Sequence, residues 1–212
     1  MQKTKLIIFD YDGVLVDTFP LACSAYYAIF KEFNIKTNFS TEQFRDFFEV
    51  DWTKNLAVLG ISEKKDIEKS ELIFRSIVAD SSRNVKIYSG IEQVLKQLKD
   101  KGYKLAVLSN NYEDIIKKHL KKNQVLHYFD KIADVNYGLK PDTKGILRLL
   151  DEFEIKPTEA VMIGDMDGDI IMAKNAKLKK AIGVSWGFHN HKKLKDADVI
   201  IDAPLEIINE VE

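Results

Sequence analysis

The sequence predicts an α/β fold: a doubly wound parallel sheet, interrupted near its start by a block of helices. Two observations carry this expectation. Short apolar runs rich in Ile and Val alternate with longer amphipathic stretches along most of the chain, the pattern that strand–helix–strand units produce. One segment, from about Phe19 to Ser82, lacks any strand pattern and reads as helix.

The strands come first. Leu6–Phe9, Leu105–Leu108, Ala160–Ile163, Ala181–Val184 and Val199–Ile201 are short and almost wholly apolar, as expected of strands covered on both faces. Lys131–Val135, after the turn at Phe129-Asp130, is a further strand of less apolar character. Helical spacing runs through Ile91–Lys101, Glu113–Lys122, Thr143–Phe153, Asp167–Lys174 and Leu205–Val211. Within the inserted block the helical stretches are Leu21–Phe33, Thr41–Phe48, Thr53–Leu59 and Glu63–Asp80. Ser40-Thr41-Glu42-Gln43 and Ser62-Glu63-Lys64-Lys65 supply helix starts. The polar run Ser81-Ser82-Arg83-Asn84 is expected to be a hinge. These patterns divide the chain into a sheet domain, residues 1–18 and 83–212, and a helical insertion, residues 19–82.

Composition narrows the classes of function. The chain has 212 residues, 45% of them hydrophobic, which suits one core plus a modest insertion. Charged residues make up 31%, yet the formal net charge is −1 and no basic run stands out. A nucleic-acid partner is therefore not expected. Cys23 is the only cysteine, so no intrachain disulfide can form, and its apolar neighbours make it a small core residue rather than a reactive thiol. The opening MQKTKLIIFDYDG has an apolar run of only Leu6–Phe9 before aspartates follow, unlike a signal peptide. No stretch reaches the roughly 18 apolar residues of a membrane span. The expected setting is the cytoplasm, with no membrane partner, and no feature sets an oligomeric state.

In an open parallel sheet, ligands sit beyond the carboxyl ends of the strands. Asp10 and Asp12 follow the first strand, Ser109 and Asn110 the second, Lys140 stands in the loop GLKPD, and Asp165 and Asp169 follow Ala160–Ile163. Groups far apart in sequence are thereby expected to meet at one sheet edge. Clustered carboxylates repel, and a hard divalent cation such as Mg2+ resolves the repulsion while accepting phosphate oxygens. A lysine opposite them suits phosphoryl transfer. Asp10 can attack phosphorus as a covalent nucleophile. Asp12 can protonate the leaving oxygen and then activate water. Gly13 allows the sharp turn between these acids and the rest of the loop.

These residues carry a family resemblance. FDYDGVLVDT (Phe9–Thr18), LSNN (Leu108–Asn111), Lys140-Pro141 and IGDMDGD (Ile163–Asp169) resemble, in order, the four motifs of the haloacid dehalogenase superfamily of phosphatases. GVSWGFHNHKKL (Gly183–Leu194) is similar to its phosphoglycolate-phosphatase-like branch. The resemblance implies a Rossmann-like core with a small helical cap inserted after the first motif. It implies a Mg2+-dependent phosphatase acting on a small phosphorylated metabolite, with phosphoglycolate as the expected substrate. By the same resemblance Asp10 is nucleophile and metal ligand. Asp12 is acid/base and gives its backbone carbonyl to the metal. Ser109 and the Asn110 amide hold the phosphoryl group, and Lys140 neutralises nucleophile and phosphate. Asp165 is a metal ligand, and Asp169 supports the metal site or orients Lys140. Three positions depart from the pattern: Glu49 in FFEVDW stands where relatives usually carry glycine, Tyr88-Ser89-Gly90 replaces a Tyr-Pro-Gly-like turn, and Asp167 is an extra acid.

Other readings fare worse. Asp165-Met-Asp-Gly-Asp suggests a calcium loop, but its sixth and twelfth positions are Ile170 and Ala176, where an EF-hand needs glycine and an acid. No GxxxxGK[ST] or GxGxxG occurs. His189 and His191 lack partner ligands in the sequence and are expected on a surface loop near the pocket rim, while His119 and His127 are expected to be structural or exposed. Phe48 and Trp52 either line the inner face of the insertion or belong to its core. A dehalogenase on this fold expels chloride without a proton or a metal, which leaves Asp12 and GDMDGD without purpose. A phosphomutase shares the whole site. A phosphonate hydrolase needs a Schiff-base lysine, for which Lys54 is the candidate. A receiver domain places its phosphoacceptor after a middle strand, and a silent phosphate-binding protein has no need of the full constellation.

Overall fold

The computed structural model describes residues 3–80 and 85–212. The expected hinge, 81–84, lies outside them. Six parallel strands form one sheet in the order β3-β2-β1-β4-β5-β6: β1 Leu6–Phe9, β2 Lys104–Leu108, β3 Lys131–Ala133, β4 Ala160–Gly164, β5 Lys180–Val184 and β6 Val199–Ile201. The chain builds outward from β1 on one side as far as β3, then crosses to β4 on the other. The order therefore reverses at β1, and a crevice opens at the carboxyl ends of β1 and β4. Register is fixed there by pairs such as Phe9 with Val107 and Phe9 with Ile163.

Period-two alternation sends successive strand residues to opposite faces, and each face has its own core. Ile7, Phe9, Leu105, Val107, Val161 and Ile163 pack on one side with helices α5 (Ile91–Asp100), α6 (Glu113–Lys122) and α9 (Ile207–Glu210). Leu6, Ile8, Ala106, Leu108, Ala160 and Met162 pack on the other with α7 (Lys144–Glu152) and α8 (Asp167–Asn175). Strands covered on both sides need no polar face, which is why their sequences read as unbroken apolar runs.

Between β1 and α5 lie α1 (Phe19–Glu32), α2 (Thr41–Phe47), α3 (Trp52–Val58) and α4 (Lys64–Asp80). Ser40 and Gln43 form the expected capping box at the start of α2: Gln43 N–H donates to Ser40 Oγ at 3.2 Å and Ser40 N–H to Gln43 Oε1 at 2.8 Å. Asp51 caps α3, accepting from Thr53 N–H at 3.1 Å. Phe19, Tyr26, Phe30, Phe44 and Phe48 form a separate aromatic cluster in this block. Phe188, from the loop after β5, joins it edge-on, 5.3 Å from Phe19 and 5.1 Å from Phe48.

Three elements differ from expectation by two residues or more at an end, the others by one at most. The third strand stops at Ala133 because the Asp134 side chain accepts from Asn136 N–H at 3.1 Å, drawing the chain into a 3-10 turn, Val135–Tyr137. The last helix begins with a 3-10 turn, Pro204–Glu206, and is only four residues long. α1 begins at Phe19, two residues before the expected start, with Pro20 in its first turn, where a fixed φ favours helix. No helix among the described residues is long and apolar enough to cross a membrane.

Candidate active site

Asp10 leaves β1 at the centre of the crevice, its N–H held by Ile163 C=O at 2.9 Å. Three residues on, Gly13 turns the chain at φ +77°, and a Cβ there would lie 2.1 Å from Asp165 Oδ2. Both the conformation and the crowding require glycine. Lys140 enters from the loop between β3 and α7, where its N–H donates to Asn110 Oδ1 at 2.8 Å. Its Nζ lies 2.6 Å from Asp10 Oδ1 and 2.8 Å from Asp169 Oδ1. Asp165 is fully buried at the end of β4. Its Oδ2 accepts from Phe188 N–H at 2.6 Å, while Oδ1 has no hydrogen-bond partner among the described residues.

Every residue expected at the site lies near this edge, and Asp10, Asp12, Ser109, Asn110, Lys140 and Asp169 line one cavity of about 740 Å³ between the sheet and the helical block. Ser109 is buried, its Oγ accepting from Asn111 N–H at 3.0 Å. Asp12 is less buried than Asp10, and Asn111 Nδ2 donates to its Oδ2 at 3.2 Å. Asp10, Asp165 and Asp169 each offer a carboxylate oxygen, all within 4.8 Å of one another. For Asp169 the resemblance implies support of the metal site or orientation of Lys140; here its side chain stands in the acidic triad and also pairs with Lys140.

The electrostatics follow from burial. Asp10 is pushed up to about 8, chiefly by desolvation; Lys140 opposes the rise and Asp169 adds to it. Asp165 is raised well above the carboxylate range by desolvation first, then by Asp10 and Asp169. Burial also raises Asp12, against the hydrogen bond from Asn111. For Lys140 burial disfavours the charge, but Asp10 and Asp169 outweigh it and hold the ammonium above its ordinary value. Three carboxylates against one ammonium, one buried oxygen without a partner, and donors that are all oxygen fit a hard divalent cation such as Mg2+.

A pH signature follows from the sign of these shifts. The folded, metal-free protein holds protons on Asp10 and Asp165 that the unfolded chain has already lost. Its stability therefore falls as pH rises from about 4, the unfolded carboxylate value, towards 8. Mg2+ competes with those protons, so the rise in melting temperature on adding Mg2+ should be larger at about pH 8 than at about pH 6, measured by thermal melts at matched metal excess. An equal or smaller shift at the higher pH would contradict the carboxylate site.

Some of the surroundings were not legible in the sequence. Asn111 had no assigned role. His119 is buried, its Nδ1 meeting the Tyr11 hydroxyl, and it lines the cavity. His189 is not on the surface: it is fully buried, Nδ1 accepting from Asp167 N–H at 3.2 Å and Nε2 bonded to Phe48 C=O at 2.8 Å. One accepting and one donating nitrogen make a neutral imidazole, and burial likewise lowers its pKa. With Lys193, whose Nζ reaches Phe48 C=O at 3.0 Å and Glu49 at 3.3 Å, it ties the loop after β5 to the segment between α2 and α3. His191 is exposed and lies 2.9 Å from Asp202. Lys54 is exposed on α3 and is not among the residues lining the cavity.

Comparison with known proteins agrees with this geometry. Residues 7–183 match the family described as haloacid dehalogenase-like hydrolase. The chain is 31% identical to a phosphoglycolate phosphatase of Aquifex aeolicus, over 87% of this chain and 86% of that protein. It is 27% identical to the pyrophosphatase PpaX of Bacillus velezensis, over 87% and 85%. A solved haloacid dehalogenase-like family hydrolase from Streptococcus pneumoniae superposes with a TM-score of 0.84 at 24% identity, covering 100% of both chains. With a family match that spans the sheet edge and every acid of the cavity floor, this chain belongs to the haloacid dehalogenase-like hydrolase family.

Proposed function

We propose that this hydrolase is a Mg2+-dependent phosphatase that cleaves a small organic phosphate monoester through an aspartyl phosphate on Asp10. The observation that carries the reading is the pair of distances that fix Lys140 between Asp10 and Asp169, beside a buried Asp165 oxygen with no partner. Bound Mg2+, held by Asp10, Asp165 and the Asp12 carbonyl with Asp169 in support, would neutralise charge on the phosphoryl oxygens. Lys140 and the Tyr11 N–H, which donates to Asp10 Oδ1 at 2.6 Å, fix the carboxylate for attack on phosphorus. Ser109 and Asn110 hold the phosphoryl group. Asp12 gives its proton to the leaving alcohol as the P–O bond breaks, then takes one from the water that attacks the aspartyl phosphate, releasing phosphate and restoring Asp10.

In this reading residues 19–82 are the cap and residues 1–18 with 83–212 the core, and the reaction takes place in the cytoplasm. A cap over the cavity limits water to what hydrolysis needs. Phosphoglycolate is the substrate expected by resemblance, and the Aquifex relative bears that name; the wall of this cavity favours another class, set out below.

Phosphate release from a panel of monoesters, with and without Mg2+, tests the reading: metal-dependent release supports it and none in either condition refutes it. Asp12→Ala sharpens the test. Its loss of kcat should be greater for an alkyl phosphate than for p-nitrophenyl phosphate by about 10²-fold, because only the alkoxide needs the proton. Equal losses would remove Asp12 from that role.

A further inference from the structure

The cavity above the carboxylates is large, aromatic and short of cations. Its volume, about 740 Å³, lies within the range of pockets that enclose drug-sized ligands. A phosphoryl group with a two-carbon tail would leave most of it as open water. Tyr26, Trp52 and Phe74 line it from the helical block, and Tyr112 and Ile115 from the sheet domain. The Trp52 and Phe74 rings stand 6.2 Å apart and tilted, so they form one apolar wall rather than scattered contacts.

Charge points the same way. Apart from Lys140, Arg75 is the only lysine or arginine among the described lining residues. Its guanidinium is already placed, 3.2 Å from Glu71 and stacked 4.0 Å over the Tyr112 ring. Glu49, Asp51 and Asp142 also face the cavity. The lysines that pair with Glu49 and Asp142, Lys193 at 3.3 Å and Lys144 at 3.2 Å, do not line it. A carboxylate or second phosphate on the substrate would thus be desolvated with no uncommitted cation to receive it. The unpartnered buried atoms that Thr18 and His119 bring to the wall carry no fixed charge: Thr18 Oγ1 and His119 Nε2 have no hydrogen-bond partner among the described residues, and burial, then Lys118 and Lys122, keep the His119 ring below its usual pKa.

Resting on the phosphatase reading, we propose that the natural substrate is a phosphate monoester of an uncharged, ring-bearing alcohol, with the ring against Trp52, Phe74 and Tyr112. Esters that carry a second anionic group are disfavoured.

Benzylphosphonate and phosphonoacetate share a phosphonate and a methylene and differ only in phenyl against carboxylate, so calorimetry of both on the Mg2+-loaded Asp10→Asn protein reads the wall without turnover. Benzylphosphonate should bind about tenfold or more tightly, a ratio of the size that pocket contacts deliver. Trp52→Ala, or Phe74→Leu where the first variant fails to fold, should shrink that ratio. In the wild type, kcat/KM for benzyl phosphate should exceed that for phosphoglycolate by a similar factor. Tighter binding of phosphonoacetate, abolished in Arg75→Ala, would overturn the proposal and make Arg75 a carboxylate receptor, leaving the phosphatase reading intact. Preferred binding of benzylphosphonate with no hydrolysis of either ester would instead refute the phosphatase reading and keep the assignment of the wall.

Discussion

Asp10→Asn should lose turnover by about 10⁴-fold or more, since Asp10 is the proposed nucleophile and without it the residual rate falls to what binding and electrostatics alone supply. The substitution keeps the shape of the side chain and removes one buried negative charge. Asp10 is pushed up to about 8 by burial and by Asp169 against the pull of Lys140, so ionising it in the fold costs stability, and the Asn variant, neutral throughout, should melt no lower than the wild type in the absence of Mg2+. The same variant should gain less from Mg2+ than the wild type does, because one ligand of the set has become neutral. Steady-state rates and thermal melts on the same preparation read all three outcomes. A variant that keeps near wild-type turnover would refute the nucleophile.

Lys140→Met should be harmful in a different way. Among the described residues Lys140 is the one cation within ion-pairing distance of two buried carboxylates, at 2.6 Å and 2.8 Å, and losing one partner of a buried pair costs roughly 3–5 kcal/mol. Without the ammonium, the influence that lowers Asp10 is gone and its folded pKa rises further. The part of the penalty that Asp10 carries is a cost of ionisation, so it should be small below about pH 8, where both folded proteins hold that proton, and grow as pH rises above it. Excess Mg2+ should recover much of the stability by supplying another cation. It should not recover the rate, because the lysine is also proposed to face the phosphoryl oxygens, and loss of such a group costs about 10²- to 10³-fold in kcat. Restored turnover with Mg2+ would make Lys140 a structural counter-charge and nothing more.

The legible part of this fold was what repeats locally. Leu6–Phe9 and Ala160–Gly164 are buried along their whole length, so burial on both faces wrote itself into the sequence as apolar runs. The acids and the lysine were legible because they follow such runs, and topology alone then brings strand ends together. The helical block was visible by the absence of strands, and Ser40 with Gln43 announced the start of α2.

What escaped depends on contacts between distant segments. His189 lies in a polar stretch, His189-Asn190-His191-Lys192-Lys193, and only the fold reveals that it is fully buried against Phe48 of the helical block. For His119 a structural and an exposed position both stand open in the sequence, and the Tyr11 hydroxyl on its Nδ1 decides for the structural one. Asn111 is one of two adjacent asparagines. Asn110 turns to the Lys140 N–H and Asn111 to Asp12, a division between two partners that are themselves distant in sequence. Gly168 shows the same limit: a Cβ there would meet Val50 at 2.4 Å, a contact between sheet domain and helical block that no spacing along the chain encodes.

The central claim is a covalent bond between Asp10 and phosphorus, and borohydride reduction during turnover tests it directly. An aspartyl phosphate is reduced to homoserine, whereas a free carboxylate is untouched. The wild-type enzyme, mixed with Mg2+ and an excess of a hydrolysed ester and then treated with borohydride, should yield a peptide with homoserine at position 10, and omission of the ester should abolish it. An unmodified Asp10 under steady turnover, or reduction at another carboxylate, would contradict the account.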